Sequence, residues 1–144
     1  MTEDEAGPVL GIDLGDARIG IAISDPDRRV AVPLGTVHVG QPPGELRAIA
    51  DLVRAHGIRA IVVGLPLLLS GTEGARAGHA RAFAETLGQV VEVPVVLHDE
   101  RLSTVEAERS LRDAGARGAS KRRAVDRSAA TVILQSYLDS RGGR

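Results

Sequence analysis

Two stretches of this sequence place acidic side chains where an acid is costly or unusual. Asp13 stands inside the apolar run Val9–Leu14, where an unpaired buried charge would be expensive. Asp99 and Glu100 end another apolar run, and ligands of open α/β sheets bind beyond the carboxyl ends of strands. Because neighbouring strand residues point to opposite faces, we expect one of this pair to face a site. The structural alternatives are a turn cap for Asp13 and a polar loop start for the pair.

Asp126 is the third acid of interest, at the start of the last predicted helix. Its spacing from Ala130 and Ile133 puts it on the apolar stripe of that helix, so its carboxylate is predicted to face the sheet. An interaction with the helix dipole is the alternative. Together with Asp13 the acids would offer oxygen ligands, and His98 is the one nearby nitrogen donor. Such a set favours Mg²⁺ or Mn²⁺, which can clamp a phosphodiester and activate water for its hydrolysis.

The elements that must position these acids follow from hydrophobic periodicity. Five apolar runs predict β-strands, at residues 9–14, 19–24, 30–39, 60–63 and 93–98. Pro33 and Gly35 interrupt the third run, which makes it an edge strand. Helical spacing predicts four helices, at about 46–53, 80–87, 103–114 and 122–138. Gly57 and Gly88 are predicted to end the first two.

The predicted order β-β-β-α-β-α-β-α-α indicates an α/β fold. Its alternating strands and helices favour parallel pairing, and the hairpins at the front add antiparallel strands. We therefore expect a mixed five-stranded sheet with helices on both faces. A chain of 144 residues has the size of one domain, so we expect a single domain over 1–144, with loose tails at 1–7 and 140–144.

Composition excludes several classes of function. The chain has no cysteine, which excludes thiolate chemistry, and 1% aromatic residues, which argues against a base-stacking surface. No apolar run reaches the roughly 20 residues of a membrane helix and the first residues are acidic, so a cytoplasmic protein is expected. The net charge is −1, but residues 101–127 carry eight basic against four acidic side chains. This local excess is either a surface for a polyanion or a solvated helix face.

Five short segments occur together in a specific order. They are Gly11-Ile12-Asp13-Leu14-Gly15, Ile61-Val62-Val63-Gly64-Leu65-Pro66-Leu67, Ser70-Gly71-Thr72-Glu73, His98-Asp99-Glu100-Arg101-Leu102-Ser103-Thr104 and Val125-Asp126-Arg127-Ser128-Ala129-Ala130. With these segments the chain resembles the YqgF/RuvX family of bacterial Holliday-junction-resolvase-like proteins and pre-16S rRNA nucleases. The run from Asp99 to Thr104, with the Gly-Leu-Pro-Leu segment, is the most specific part. One departure is that the family has asparagine and aspartate where this chain has Leu68 and Ser70.

The resemblance implies a ribonuclease H-like fold and a divalent-metal-dependent endonuclease. It carries the catalytic and metal-binding acids over to Asp13, Glu100 and Asp126. Residues of the same motif are implied to contact phosphate or orient the site; they are Arg101, Ser103 and Thr104. The basic segment adds predicted substrate-binding residues, Lys121, Arg122 and Arg123.

The function predicted in this way is hydrolysis of RNA at the 5′ end of pre-16S rRNA with Mg²⁺ or Mn²⁺, by a monomer or homodimer. A four-way DNA junction is the alternative substrate, because both nucleic acids present phosphates to arginine. A non-catalytic nucleic-acid-binding or ribosome-associated factor would keep the basic segment without needing the acids. An actin-like ATPase shares the Asp-Leu-Gly pattern but needs two such domains, for which 144 residues leave no room.

Overall fold

A computed structural model describes residues 7–40, 44–67, 70, 73–102 and 128–141 of the chain. These residues form five β-strands, which are β1 (Val9–Leu14), β2 (Arg18–Ser24), β3 (Ala31–His38), β4 (Ala60–Leu65) and β5 (Val95–Asp99). They also form three α-helices, which are α1 (Gly44–His56), α2 (Ala75–Val90) and α3 (Ala129–Arg141). A short 3₁₀ turn, Glu100–Leu102, follows β5 directly. None of the helices in this described part is long and apolar enough to cross a membrane.

The strands form one mixed sheet in the order β3-β2-β1-β4-β5. Strands β1, β4 and β5 run parallel, whereas β2 is antiparallel to both β1 and β3. The predicted mixed five-stranded sheet is therefore confirmed. Strand β3 lies at the edge, as predicted, and carries a β-bulge where the register passes from Gly35 to Pro33. Proline has no N–H to donate to a ladder, which suits it to an edge strand.

Helices cover both faces of the sheet, because side chains alternate along each strand. Leu10, Ile12 and Ile61 point to the face covered by α1 and α2, which we call the α1/α2 face. Val9 and Val62 point to the opposite face, which α3 covers and which we call the α3 face. Two separate apolar clusters result, one on each side of the sheet.

The helix ends show what the sequence did and did not predict. Gly57, with a φ of +63°, follows the last residue of α1 as expected. The prediction that Gly88 ends the second helix is wrong, because α2 continues to Val90. The backbone N–H of Val91 still donates to the Leu87 carbonyl at 3.1 Å, and Leu87 is fully buried. Packing of this last turn outweighs the roughly 1 kcal/mol that a helical glycine costs.

Two predicted elements lie wholly or partly outside the described residues. The helix at 103–114 is one of them, together with the loop that follows it. The last predicted helix, at 122–138, is described only from Ser128 onward, and there α3 continues to Arg141.

Candidate functional site

One row of residues crosses the α3 face close to the carboxyl ends of β1 and β4. Asp13 on β1 is the register partner of Gly20 on β2, and Gly64 on β4 is the partner of His98 on β5. The parallel pair Ile12 and Val63 precedes Asp13 and Gly64, so these two residues are neighbours on adjacent strands. Asp13 therefore has a glycine beside it on each of the two adjacent strands.

Asp13 faces the first turn of α3. A Cβ placed on Gly20 would lie 3.8 Å from the Asp13 Cβ and 3.6 Å from the Ala130 Cβ, so Gly20 is within contact distance of both residues. Ala130 is fully buried, and the Oδ1 atom of Asp13 is buried as well. Asp13 is thus half-buried near the end of β1, with its Oδ1 atom shielded from solvent and the small Ala130 side chain close by across Gly20.

Glu100 reaches the same place from β5. It is only 6% exposed, and its Oε2 would be 2.9 Å from a Cβ placed on Gly64. The Ile133 Cδ1 would be 2.7 Å from that same Cβ. Only a residue without a Cβ leaves room for both side chains, so Gly64 is what allows the Glu100 carboxylate to lie over β4 beside Asp13. The sequence shows a glycine at the end of this apolar run, but sequence reasoning did not predict that the site requires it.

Asp99, the other acid of the strand-end pair, is engaged by its own turn. Its Oδ1 accepts a hydrogen bond from the Arg101 backbone N–H at 2.9 Å, and its Oδ2 accepts one from the guanidinium at 2.8 Å. The Arg101 side chain is the main reason that the pKa of Asp99 is lowered. Asp99 and Arg101 therefore brace the turn that carries Glu100, and the phosphate or orienting contact predicted for Arg101 stays a prediction.

His98 is the member of this row on β5, and its side chain packs against α3. Its Nε2 is 3.0 Å from the Ser136 Oγ, and its ring meets the Tyr137 ring edge to face at 5.8 Å. The side chain is buried, and burial lowers the pKa of the imidazole, which favours its neutral form. These contacts are those of a histidine packed in the core against α3.

A cleft of about 160 Å³ opens beyond the carboxyl ends of β1 and β4. Glu100 and Gly64 line it, and so do Asp16 from the β1–β2 turn and two basic residues of α2, Arg76 and His79. Sequence reasoning missed these two residues. Their spacing, three apart on one helix, shows that they share a face, but only the tertiary fold shows that this face borders the acids.

Several predicted site residues lie outside the described part of the chain. They are Asp126, Ser103, Thr104, Lys121, Arg122 and Arg123. Leu68 lies outside it too, whereas Ser70 is exposed. Within the described ranges, no group of three or more His, Cys, Asp or Glu side chains is arranged to hold a metal ion. The structure thus brings together two of the three predicted acids, Asp13 and Glu100.

The sheet order and the acids at the carboxyl ends of its strands define a class of fold. Thermus thermophilus RuvC, solved in complex with a Holliday junction substrate, superposes with a TM-score of 0.56 over 95% of this chain and 96% of RuvC, at 19% identity. A second structure of Thermus thermophilus RuvC gives a TM-score of 0.54. The chain therefore has the ribonuclease H-like fold of the RuvC resolvases, as the family resemblance implied.

Sequence comparison then gives the family. The family described as RuvX, Holliday junction resolvase, matches residues 7–140, and this chain belongs to it. A relative from Anaeromyxobacter sp. is 50% identical over 132 residues, covering 92% of this chain and 96% of the relative. Another from Chloroflexus aggregans is 44% identical over 133 residues, covering 92% of this chain and 94% of the relative. Both relatives are named "Putative pre-16S rRNA nuclease".

Proposed function

We propose that this protein is an endonuclease that hydrolyses phosphodiester bonds at the 5′ end of pre-16S rRNA. The observation that carries the proposal is that the Glu100 carboxylate lies over Gly64, which is the neighbour of Asp13 on the adjacent strand of the α3 face. Carboxylates of like charge placed close together repel each other, and a bound cation would relieve that repulsion, so the placement of these two acids supports a binding role. The relatives' names supply the substrate.

A divalent cation fits these residues. The donors in the interior are carboxylate oxygens, one of them the buried Oδ1 of Asp13, and hard oxygen ligands suit Mg²⁺ or Mn²⁺. We propose that Asp13 and Glu100 hold the cation and that Asp126, three residues before the start of α3 in the sequence, is the third ligand. When bound, such an ion lowers the pKa of water and neutralises charge on the phosphate.

The chain's own residues supply the positioning. The ion pair between Asp99 and Arg101 fixes the turn that carries Glu100. Gly64 keeps the space over β4 open for the Glu100 carboxylate, and the buried first turn of α3 excludes water from one side of Asp13. Because both acids are held before substrate arrives, little reorganisation is needed when charge develops on the phosphate.

A four-way DNA junction is the second candidate substrate. The observation that favours it is the description of the matching family as a Holliday junction resolvase. A cytoplasmic location belongs with either substrate, and a homodimer would suit a junction with two equivalent cleavage points.

The test is a cleavage assay on two substrates with the same protein preparation. One is a pre-16S 5′ leader RNA and the other a four-way DNA junction, each with Mg²⁺, with Mn²⁺ and with EDTA. We expect cleavage of the RNA with metal and none with EDTA. Glu100→Gln should abolish cleavage, whereas Asp99→Asn should be milder because it loosens the turn without removing a ligand.

Two outcomes would overturn the proposal. Cutting of the junction alone would make the chain a DNA resolvase. Binding of RNA without cutting under any metal condition would favour the non-catalytic factor. If Asp99→Asn were inactive and Glu100→Gln active, the wrong member of the pair would have been assigned to the site.

A further inference from the structure

The cleft beside the acids has a basic lining that the hydrolytic site does not use. Arg76 and His79 lie on α2, three residues apart on one face of the helix, and both border the cleft that Glu100 also lines. The Arg76 guanidinium stays positively charged and has no acceptor atom, so it cannot be a ligand of the metal that the acids would hold. Its natural partner is an anion that lies next to the reacting group.

The two arginines of α2 differ in their surroundings. Arg81 is paired with Glu73, with 2.5 Å between the guanidinium Nη2 and the carboxylate Oε2, and it does not line the cleft. Arg76 has no salt-bridge partner among the residues that the structure describes. Of the two arginines, Arg81 is ion-paired and lies outside the cleft, whereas Arg76 lines the cleft and has no such ion pair within the described residues.

We propose that Arg76 and His79 bind a backbone phosphate of the substrate strand that neighbours the phosphate being hydrolysed. This inference rests on the proposed nuclease function and adds the path of the strand, from the acids along the first turns of α2. A guanidinium can hold both non-bridging oxygens of a phosphodiester at once, and an imidazole N–H can donate to one of the same two oxygens.

Two further features of the cleft bear on the binding of an anion. The first turn of α2 contains no acidic residue, so the positive end of the helix dipole adds to the attraction. Asp16, an exposed acid of the β1–β2 turn, lines the same cleft and opposes it. Removing the Asp16 charge should therefore tighten binding, whereas removing the Arg76 charge should weaken it.

The experiment measures binding apart from cleavage. The parent protein carries Glu100→Gln, and the probe is a fluorescein-labelled, single-stranded RNA from the pre-16S 5′ leader, with a labelled four-way DNA junction as the second probe. We expect Arg76→Ala to weaken binding of the RNA about tenfold. The slope of log K against log salt should become shallower by about 0.7 when one single-strand phosphate contact is lost. Asp16→Asn should strengthen binding about threefold.

A scan of single methylphosphonate linkages then locates the contact. Each substitution removes the charge of one phosphate. Substitution of one linkage next to the cleavage point should weaken RNA binding by the parent protein about tenfold, and it should not change RNA binding by the Arg76→Ala variant. His79→Ala should reduce the effect of that same linkage. Melting temperatures of all variants show that the exposed substitutions leave the protein folded.

Arg81→Ala is the matched control, since it removes an arginine from the same helix but outside the cleft, and we expect less than a twofold change in binding. Equal weakening by Arg76→Ala and Arg81→Ala would overturn the inference, because net charge would then be the cause. It would also fail if no linkage lost its effect in Arg76→Ala, or if neither probe bound. The effect of one linkage on binding could depend on Arg76 although the wild-type protein cuts neither substrate. That result would uphold the phosphate site and overturn the nuclease proposal.

Discussion

The two faces of the central sheet use the same strands for different purposes. On the α1/α2 face, β1 and β4 present Leu10, Ile12, Ile61 and Val63, all fully buried aliphatic side chains. The alternating positions on the α3 face are largely small or polar, and they include Gly11, Asp13, Gly20, Gly64 and His98.

The difference shows how one strand can combine stability with chemistry. Burial of an aliphatic side chain contributes about 1.5–3 kcal/mol, so the α1/α2 face can supply most of the hydrophobic stabilisation. On the α3 face, glycines give up that contribution and allow the helix to approach closely. A Cβ on Gly11, for example, would lie 2.7 Å from the Leu134 Cβ. The space gained in the same way at Gly64 is where the Glu100 carboxylate lies.

The largest expected effect comes from Asp13→Asn, which keeps the shape of the side chain and removes one charge from the α3 face. Because Glu100 lies beside it, the change relieves repulsion in the protein without metal, so stability should be unchanged or higher. Cleavage should fall by at least about a hundredfold, since a metal ligand is lost. Mn²⁺ or Mg²⁺ should raise the melting temperature of the wild type more than that of the variant.

Melting curves with and without metal, beside a cleavage assay, check this expectation. Wild-type cleavage by Asp13→Asn would make Asp13 a structural residue. Loss of cleavage together with marked destabilisation without metal would show that Asp13 holds the strand end through hydrogen bonds.

Gly64→Ala should have the next largest effect, because it adds one methyl group where the α3 face has no space for it. The new Cβ would be 2.7 Å from the Ile133 Cδ1, so overpacking should lower the free energy of unfolding by roughly 1–3 kcal/mol. Glu100 must also move, so cleavage by the folded fraction should fall. Urea unfolding and single-turnover cleavage measure the two effects.

Gly78→Ala is the control for this substitution. Gly78 is an exposed position inside α2, and among the described residues no heavy atom outside the adjoining helix backbone lies within 4 Å of a Cβ placed there. An alanine there should raise the free energy of unfolding by about 0.5–1 kcal/mol. If both alanines had the same effect, the close approach over Gly64 would not constrain the site.

Ile61→Val tests the opposite face with a smaller effect. Ile61 is fully buried on the α1/α2 face, and loss of one methyl group should cost about 0.5–1.5 kcal/mol in urea unfolding. Cleavage per folded molecule should stay at the wild-type level. A loss of activity as large as that of Gly64→Ala would mean that the two faces are not separable.

The sequence predicted the sheet because alternation and turn residues are local signals. The edge position of β3 followed from Pro33, and the end of α1 followed from Gly57. Gly88 misled because a helix end also depends on what its last turn packs against, here the buried Leu87. That dependence on tertiary contacts is absent from a local pattern.

The same limit applies to the site. Asp13 and Glu100 stood out because an acid is unusual beside apolar runs. Gly64 and Arg76 did not stand out, since a glycine after a strand and an arginine on a helix are both common. Their importance depends on which element faces them across the fold.

The smallest expected effect comes from the same substitution at a second aspartate, Asp25, beside the opposite end of β1. Asp25 Oδ1 accepts hydrogen bonds from the backbone N–H groups of Arg29, at 2.7 Å, and Val30, at 2.9 Å. The Val30 bond is the main reason that its pKa is lowered below the usual 3.8.

Because the folded pKa of Asp25 is the lower one, the unfolded chain takes up this proton at a higher pH than the folded chain does. The stability that the charge contributes is therefore complete above about pH 3.8 and is lost as the pH falls through the folded value. Asn at this position keeps an oxygen acceptor but no charge, so Asp25→Asn should lower stability slightly at pH 7 and flatten its decline in acid. Urea unfolding at pH 7, 4 and 3 measures this, and cleavage at pH 7 should not change. An unaltered acid decline would show that the Asp25 charge adds nothing to the turn. Loss of cleavage would extend the charge-sensitive region from the site along the whole of β1, and the effect of Asp13→Asn could then no longer be assigned to the α3 face alone.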